Sequence, residues 1–260
     1  MEGLEQKLAI VVLFNRLFSR PVAALLALVG VKVTDPANCI PDYVVMVLIV
    51  AVFLALFLGF AARRRKVVPG KLQNVLEVII AAVEGQLIEI IGPEGPKFLP
   101  MLGTVGMFIF CSNVMGLIPG LMSPTSKLNV TIGCALTVFL YYHYQGMKAQ
   151  GFFKYLKHFM GPVPALAPLM VPIELISHFS RIVSLSIRLF SNIFAEDVLI
   201  VVIASIIPYF LPLPFMALSI FTGFLQAFIF VLLACIYISS AVAHDEEESG
   251  GHDDKVHAHA

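Results

Sequence analysis

Hydrophobic and polar positions along the chain separate into blocks, and five of them are long enough to cross a bilayer. Tyr43–Ala62 is an uncharged run closed at once by Arg63, Arg64, Arg65 and Lys66. Phe98–Ile118 is a second apolar block, interrupted by Asn113. A third, over 128–147, ends in Tyr141, Tyr142, His143 and Tyr144. The fourth and fifth, 173–207 and 215–242, are longer than the 20 or so residues that a bilayer core of about 30 Å requires. Between the first two, Lys71–Ile91 shows a different pattern. Apolar residues fall at 72, 75, 76, 79, 80, 83, 87, 90 and 91, with Gln73, Asn74, Glu77 and Glu84 opposite. That spacing predicts an amphipathic helix, on the membrane surface or against other spans.

The segment Val171–Pro208 organises the rest. No proline stands between Pro172 and Pro208, so one helix over 173–207 is expected, about 52 Å long at 1.5 Å per residue. Such a rod tilts strongly or runs beyond the hydrocarbon. Its polar residues Glu174, Ser177, Arg181, Ser184, Arg188, Asn192 and Glu196 recur at three- and four-residue steps, which places them on one face. A charge within the bilayer costs about 2.5–3.5 kcal/mol even on the lenient insertion scale. A stripe of them therefore needs a partner, a wet cavity or a charge path. A buried salt-bridge seam would account for Glu174 and Arg181. Arg188 lies mid-helix, eight residues from the nearest carboxylate on its own face, so its counter-charge is expected from another helix or another chain.

Composition supports this picture. The 260 residues are 59% hydrophobic and 13% charged, against about 25% charged in soluble domains. The fold class expected is an all-α polytopic membrane protein with about five transmembrane helices, interfacial amphipathic helices and a long tilted C-terminal hairpin. The net charge is zero, so no nucleic acid is expected as a partner. Cys39, Cys111, Cys134 and Cys235 show no metal or redox spacing. Residues 1–42 are read as an extracytoplasmic segment whose first 30 residues form an interfacial helix. A signal peptide is the competing reading, but MEGLEQK lacks the basic start that it needs. Residues 43–243 form the membrane domain. Residues 244–260 (HDEEESGGHDDKVHAHA) read as a disordered acidic and histidine-rich tail. The basic run at 63–66 and Lys148, Lys154 and Lys157 mark the inner side. The N-terminus is then extracytoplasmic and the C-terminus cytoplasmic.

No HExxH, GxSxG, Walker or Rossmann glycine pattern occurs, so no catalytic site, cofactor or metal is expected. What remains is an ion path. Carboxylates and hydroxyls at helical spacing hold water and relay protons. An arginine, with a pKa above about 12, is a fixed positive charge that blocks cations and attracts a carboxylate. Glu196 stands about 12 Å from Arg188 along the axis, and Glu174 about 21 Å away on the other side. Acids at both ends suggest two half-paths separated by a positive plug. Asn113 is either interhelical glue or a channel lining. His143 is either part of an interfacial aromatic belt or functional.

Two stretches carry a resemblance. SLSIRLFSNIFAED (Ser184–Asp197), followed by FLQAFIFVLLACIYIS (Phe224–Ser239), resembles subunit a of the F-type ATP synthases. PGKLQNVLEVI (Pro69–Ile80), SNVMGLIPG (Ser112–Gly120) and KLNVTIGCAL (Lys127–Leu136) resemble its earlier segments, so that the likeness covers roughly 40–243. The resemblance implies a stator subunit of a rotary complex in the cell inner membrane, a setting that the absence of a transit peptide also favours. Its partners would be the c-subunit ring, the b-subunit peripheral stalk, the rest of the complex and the lipid bilayer. Arg188 would face each ring carboxylate in turn, favour its ionised form and block direct leakage between two aqueous half-channels. Asn192 and Gln226 match the polar pair beside that arginine. Asp197 aligns with the acid of the outer half-channel, and Glu174 and Ser184 with polar positions on the cytoplasmic side. Three departures stand out. Glu196 replaces a small residue of well-known bacterial members, Ser219 replaces a histidine seven residues before Gln226, and Gly116 replaces a second acid of some members. Glu196 shares the arginine's face while Asp197 lies about 100° round, so Glu196 is expected to share or take over the outer relay. A self-contained secondary ion transporter is the alternative. Such folds show repeated halves, and no repeat is evident here.

Overall fold

The computed structural model describes residues 12, 14–16, 19, 40–63, 70–118, 121–151, 155, 167–207 and 210–242. Expectations for most of the N-terminal segment, for 64–66, Lys154, Lys157, Pro162 and Pro164, and for the tail 244–260 lie outside these residues. Among the described residues the secondary structure is entirely helical. The helices are α1 (Asp42–Arg63), α2 (Lys71–Ile91), α3 (Leu99–Met115), α4 (Leu128–Gln150), α5 (Ala167–Ile206) and α6 (Pro212–Val242), with 3-10 turns at Gly95–Phe98 and Pro124–Ser126. The chain is an all-α polytopic membrane protein.

Local chemistry explains several boundaries. α1 has Asp42 in its first turn and Arg63 in its last, both favourable to the helix dipole. α2 has the limits that its amphipathic spacing predicts. It stops where Gly92, at φ 96°, turns its N–H back to the Ile88 carbonyl, a backbone conformation that favours glycine. α5 departs from expectation. It has 40 residues, beginning at Ala167, and keeps Pro172 inside it. Pro168 occupies the second position, where a missing N–H costs nothing. Pro172 removes one further hydrogen bond, near the N-terminal end. The helix is therefore about 60 Å long at 1.5 Å per residue.

Four helical stretches among the described residues are long and apolar enough to cross a membrane: Asp42–Arg63, Gly95–Met115, Pro168–Ile206 and Pro212–Val242. The expected third span, α4, has 23 residues, long enough for a bilayer. Its apolarity is diluted by Asn129, Tyr141, Tyr142, His143, Tyr144, Gln145, Lys148 and Gln150.

α6 is the hub and packs against α2, α3, α4 and α5. Its buried positions Ser219, Gly223, Gln226, Ala227, Phe230, Ala234 and Ile238 follow helical spacing, and four of the seven are small. Small residues let helices approach closely. A Cβ at Gly106 of α3 would lie 2.7 Å from Cγ2 of Val231 in α6. The main core joins Leu102 and Ile109 of α3, Val138 and Tyr142 of α4, Leu185 and Leu189 of α5, and Phe230 and Ile238 of α6. A second cluster sets Val45, Met46, Val50 and Leu54 of α1 against Met115. Asn15 is tied to the start of α1 through both backbone groups of Ile40, at 3.1 and 3.3 Å. α5 is the least covered of the membrane-length helices, and that leaves its polar stripe accessible.

Candidate functional site: an uncompensated arginine on the α5–α6 hairpin

α5 buries Leu185, Leu189 and Ile193 against the core, and this fixes its rotation. Residues four apart stack on one face of a helix. Ser184, Arg188 and Asn192 are accordingly carried together onto the uncovered side, and all three are exposed. Arg188 forms no hydrogen bond or ion pair with any described residue. Elsewhere on the hairpin, Val183, Ile187 and Phe194 of α5 and Leu225 and Phe228 of α6 are exposed hydrophobic side chains. Ser184 and Asn192, one turn away on either side, make no hydrogen bond to Arg188. Asn192 reaches across the hairpin and donates to Oε1 of Gln226 at 2.7 Å. Gln226 is 2% exposed, and its Nε2 has no partner.

Toward the C-terminal end of α5, Glu196 and Asp197 are both half-buried. Ser126 lies near Asp197, with its hydroxyl donating to the Ser123 carbonyl at 2.8 Å. Ser126 belongs to the second 3-10 turn, between α3 and α4. The turn is folded inward, with Ser123 1% and Thr125 0% exposed. Thr125 donates to Oδ1 of Asn113 at 2.6 Å, Asn113 Nδ2 to the Gly223 carbonyl at 3.3 Å, and Ser123 to the Ser112 carbonyl at 3.1 Å. Asn113 is thus interhelical glue between α3 and α6 within a buried polar cluster. Ser219 lies one turn before Gly223 and is buried, its carbonyl accepting from Thr222 at 3.2 Å. Gly116 has Ser123 against it, and a Cβ there would come within 2.7 Å of the Ser123 Cβ. A side chain at this position would therefore meet the turn.

Toward the N-terminal end, Glu174 and Arg181 do not form the salt-bridge seam. Glu174 Oε1 lies 3.1 Å from Nε2 of His178, and Nδ1 of His178 lies 2.7 Å from the Tyr142 hydroxyl. Arg181 donates to Ser240 at 3.4 Å and lies over the Tyr237 ring, 5.0 Å from its centroid. His143 stacks among Phe139, Tyr142 and His178. Sequence reasoning passed over His178, Thr125 and Ser126. A signal for His178 existed, since it stands one turn after Glu174 and three residues before Arg181. Ser126 and Thr125 lie in a loop whose inward fold no periodicity announces.

The arrangement is a fixed cation on an uncovered apolar face, with polar groups above and below it. Glu174 stands about 21 Å to one side of it along the axis, and Asp197 about 14 Å to the other. Comparison with known proteins gives the same family as the motifs. A family model described as ATP synthase A chain matches residues 43–239. The chain is 48% identical over 202 residues to ATP synthase subunit a of Helicobacter pylori (strain Shi470), covering 77% of this chain and 89% of that protein. It is 47% identical over 200 residues to the Campylobacter curvus (strain 525.92) protein of that name, covering 76% and 89%. It is 45% identical over 203 residues to the Campylobacter jejuni (strain 81-176) one, covering 77% and 88%. The chain belongs to the ATP synthase A chain family.

Proposed function

We propose that this chain is the ion-translocating stator subunit of a rotary ATP synthase, with no catalytic site of its own. It sits in the cell inner membrane with its C-terminus cytoplasmic. A c-subunit ring turns against the face of α5 that carries Ser184, Arg188 and Asn192, and a b-subunit peripheral stalk holds the chain still. One half-channel reaches the ring on the outer side through Asp197 and Glu196, beside Ser219 and the Asn113–Thr125 cluster. The other opens to the cytoplasm past Glu174 and Ser184. A proton enters one path, neutralises a ring carboxylate, rides the ring and leaves by the other. Arg188 draws the ionised carboxylate to itself, which commits each ring subunit to lose its proton before it passes. As a permanent cation it also repels protons that would cross directly between the paths. Gln226 holds Asn192 beside it and keeps the hairpin at fixed spacing. Ion flow then becomes torque, which drives synthesis in a catalytic head made of other chains.

The observation that carries this reading is the exposed Arg188, unpaired among the described residues, midway along the least covered membrane-length helix. A charge so placed costs several kcal/mol unless an opposite charge is brought to it, and this chain brings none among its described residues. The test is Arg188→Ala in the complete complex. The variant is expected to assemble, while proton-driven ATP synthesis and ATP-driven pumping are lost. Normal synthesis by an assembled Arg188→Ala complex would overturn the proposal.

A further inference from the structure

At the N-terminal end of α5 a histidine bridges a carboxylate and a phenol that come from different helices. His178 is 8% exposed. Its Nε2 faces Oε1 of Glu174 at 3.1 Å and its Nδ1 faces the Tyr142 hydroxyl at 2.7 Å. Around this pair stand His143 of α4, with its ring centroid 5.0 Å from that of His178, and Tyr155, 6.0 Å from the His143 ring. Among the described residues, Arg181 of α5 and Tyr237 of α6 are the further titratable and charged neighbours. Glu174 is the half-exposed member, with 38% of its side chain accessible, whereas the His178 side chain is at 11%.

We propose that His178 is the proton-sharing partner of Glu174 in the inner path, with Tyr142 as its positioning residue. The inference rests on the reading above that Glu174 belongs to that path. An ionised carboxylate only accepts hydrogen bonds, so beside ionised Glu174 a neutral ring carries its hydrogen on Nε2 and accepts from Tyr142 at Nδ1. The carrying state is the other tautomer, in which Nδ1–H donates to the Tyr142 oxygen and the Nε2 lone pair faces the acid; the ring enters it through the imidazolium, by taking a proton at Nδ1 from solvent and later releasing the one at Nε2. A hydronium ion then gives its proton to Glu174 and leaves as water. The proton passes from Oε1 to Nε2: one O–H bond breaks, one N–H bond forms, and two neutral groups become an imidazolium and a carboxylate. The reverse step returns the proton to Glu174 and then to water. A phenol hydroxyl both donates and accepts, so Tyr142 holds the ring in each state. Glu174 exchanges with solvent, and His178 stores the proton one turn further along the helix toward Arg188.

The test uses inverted membrane vesicles that carry the complete complex, in which the cytoplasmic side faces the bath. ATP-driven acidification is measured across a range of bath pH and divided by the uncoupled hydrolysis rate at each pH. His178→Gln is expected to lower this ratio by roughly tenfold, in line with loss of an acid–base group. It is also expected to flatten the pH dependence, because one of two coupled titrating partners is gone. Tyr142→Phe keeps the ring and its packing, and is expected to give a smaller loss with a displaced profile. If either variant lowers only the amount of assembled complex and leaves the ratio and profile per complex unchanged, the contact is structural and the proposal fails. Arg188→Ala in the same vesicles separates the two levels. Normal pumping by Arg188→Ala sinks the stator reading itself. Lost pumping by Arg188→Ala beside an unchanged His178→Gln sinks this inference alone.

Discussion

Asn192 and Gln226 join the two arms of the α5–α6 hairpin through a 2.7 Å hydrogen bond, one turn from Arg188. A single interhelical hydrogen bond is worth about 0.5–1.5 kcal/mol net. In a double-mutant cycle of Asn192→Ala and Gln226→Ala, a coupling energy of about that size is expected in the thermal stability of the detergent-solubilised complex. Strict additivity of the two substitutions would show that the bond does not hold the hairpin.

Arg188→Lys is expected to fail nearly as badly as Arg188→Ala, although it preserves formal charge. An ammonium on an apolar face readily loses its proton and presents no planar fork to a carboxylate, whereas a guanidinium stays charged. We expect proton-driven ATP synthesis to fall roughly tenfold or more, in line with the loss of a charge-assisted bidentate contact. Synthesis at the parent rate with lysine would mean that any cation suffices.

Glu196 and Asp197 are adjacent and both half-buried, and Ser126 lies near Asp197. A shared outer relay predicts partial loss of synthesis in Glu196→Gln, partial loss in Asp197→Asn and complete loss in the double variant. Intact synthesis in Glu196→Gln together with none in Asp197→Asn would assign the relay to Asp197 alone.

Gly106 lets α3 meet α6, because a Cβ there would stand 2.7 Å from Val231 Cγ2. A β-branched side chain has little freedom to withdraw. Gly106→Ala is expected to destabilise the helix pair by about 1–3 kcal/mol, and Val231→Ala in the same chain should restore much of it. The measurement is the temperature at which the solubilised complex loses this chain. Lack of rescue would place the strain elsewhere.

Gly116 carries a parallel expectation at the outer cluster. Gly116→Asp would drive a side chain into Ser123. The inward turn that presents Ser126 to Asp197 is then displaced. Synthesis is expected to decrease, and a gain of synthesis would show that the turn has room to yield.

The helical class, the limits of α2, the existence of a long C-terminal hairpin and the polar stripe through Arg188 were all legible in the sequence. Each depends on local periodicity or on the cost of placing charge in hydrocarbon, and both are properties of a single helix. The residues that surround the stripe were not legible. Gln226 meets Asn192 across 34 positions of chain and Tyr142 meets His178 across 36. Ser123 and Thr125 are buried because a loop turns inward against α3. Such contacts depend on the rotation and axial register of one helix against another. Side-chain packing between elements sets both, through small residues such as Gly106 and Gly223 and large ones such as Phe230. Hydrophobic spacing specifies which face is buried, but not which residue of the neighbouring helix it meets.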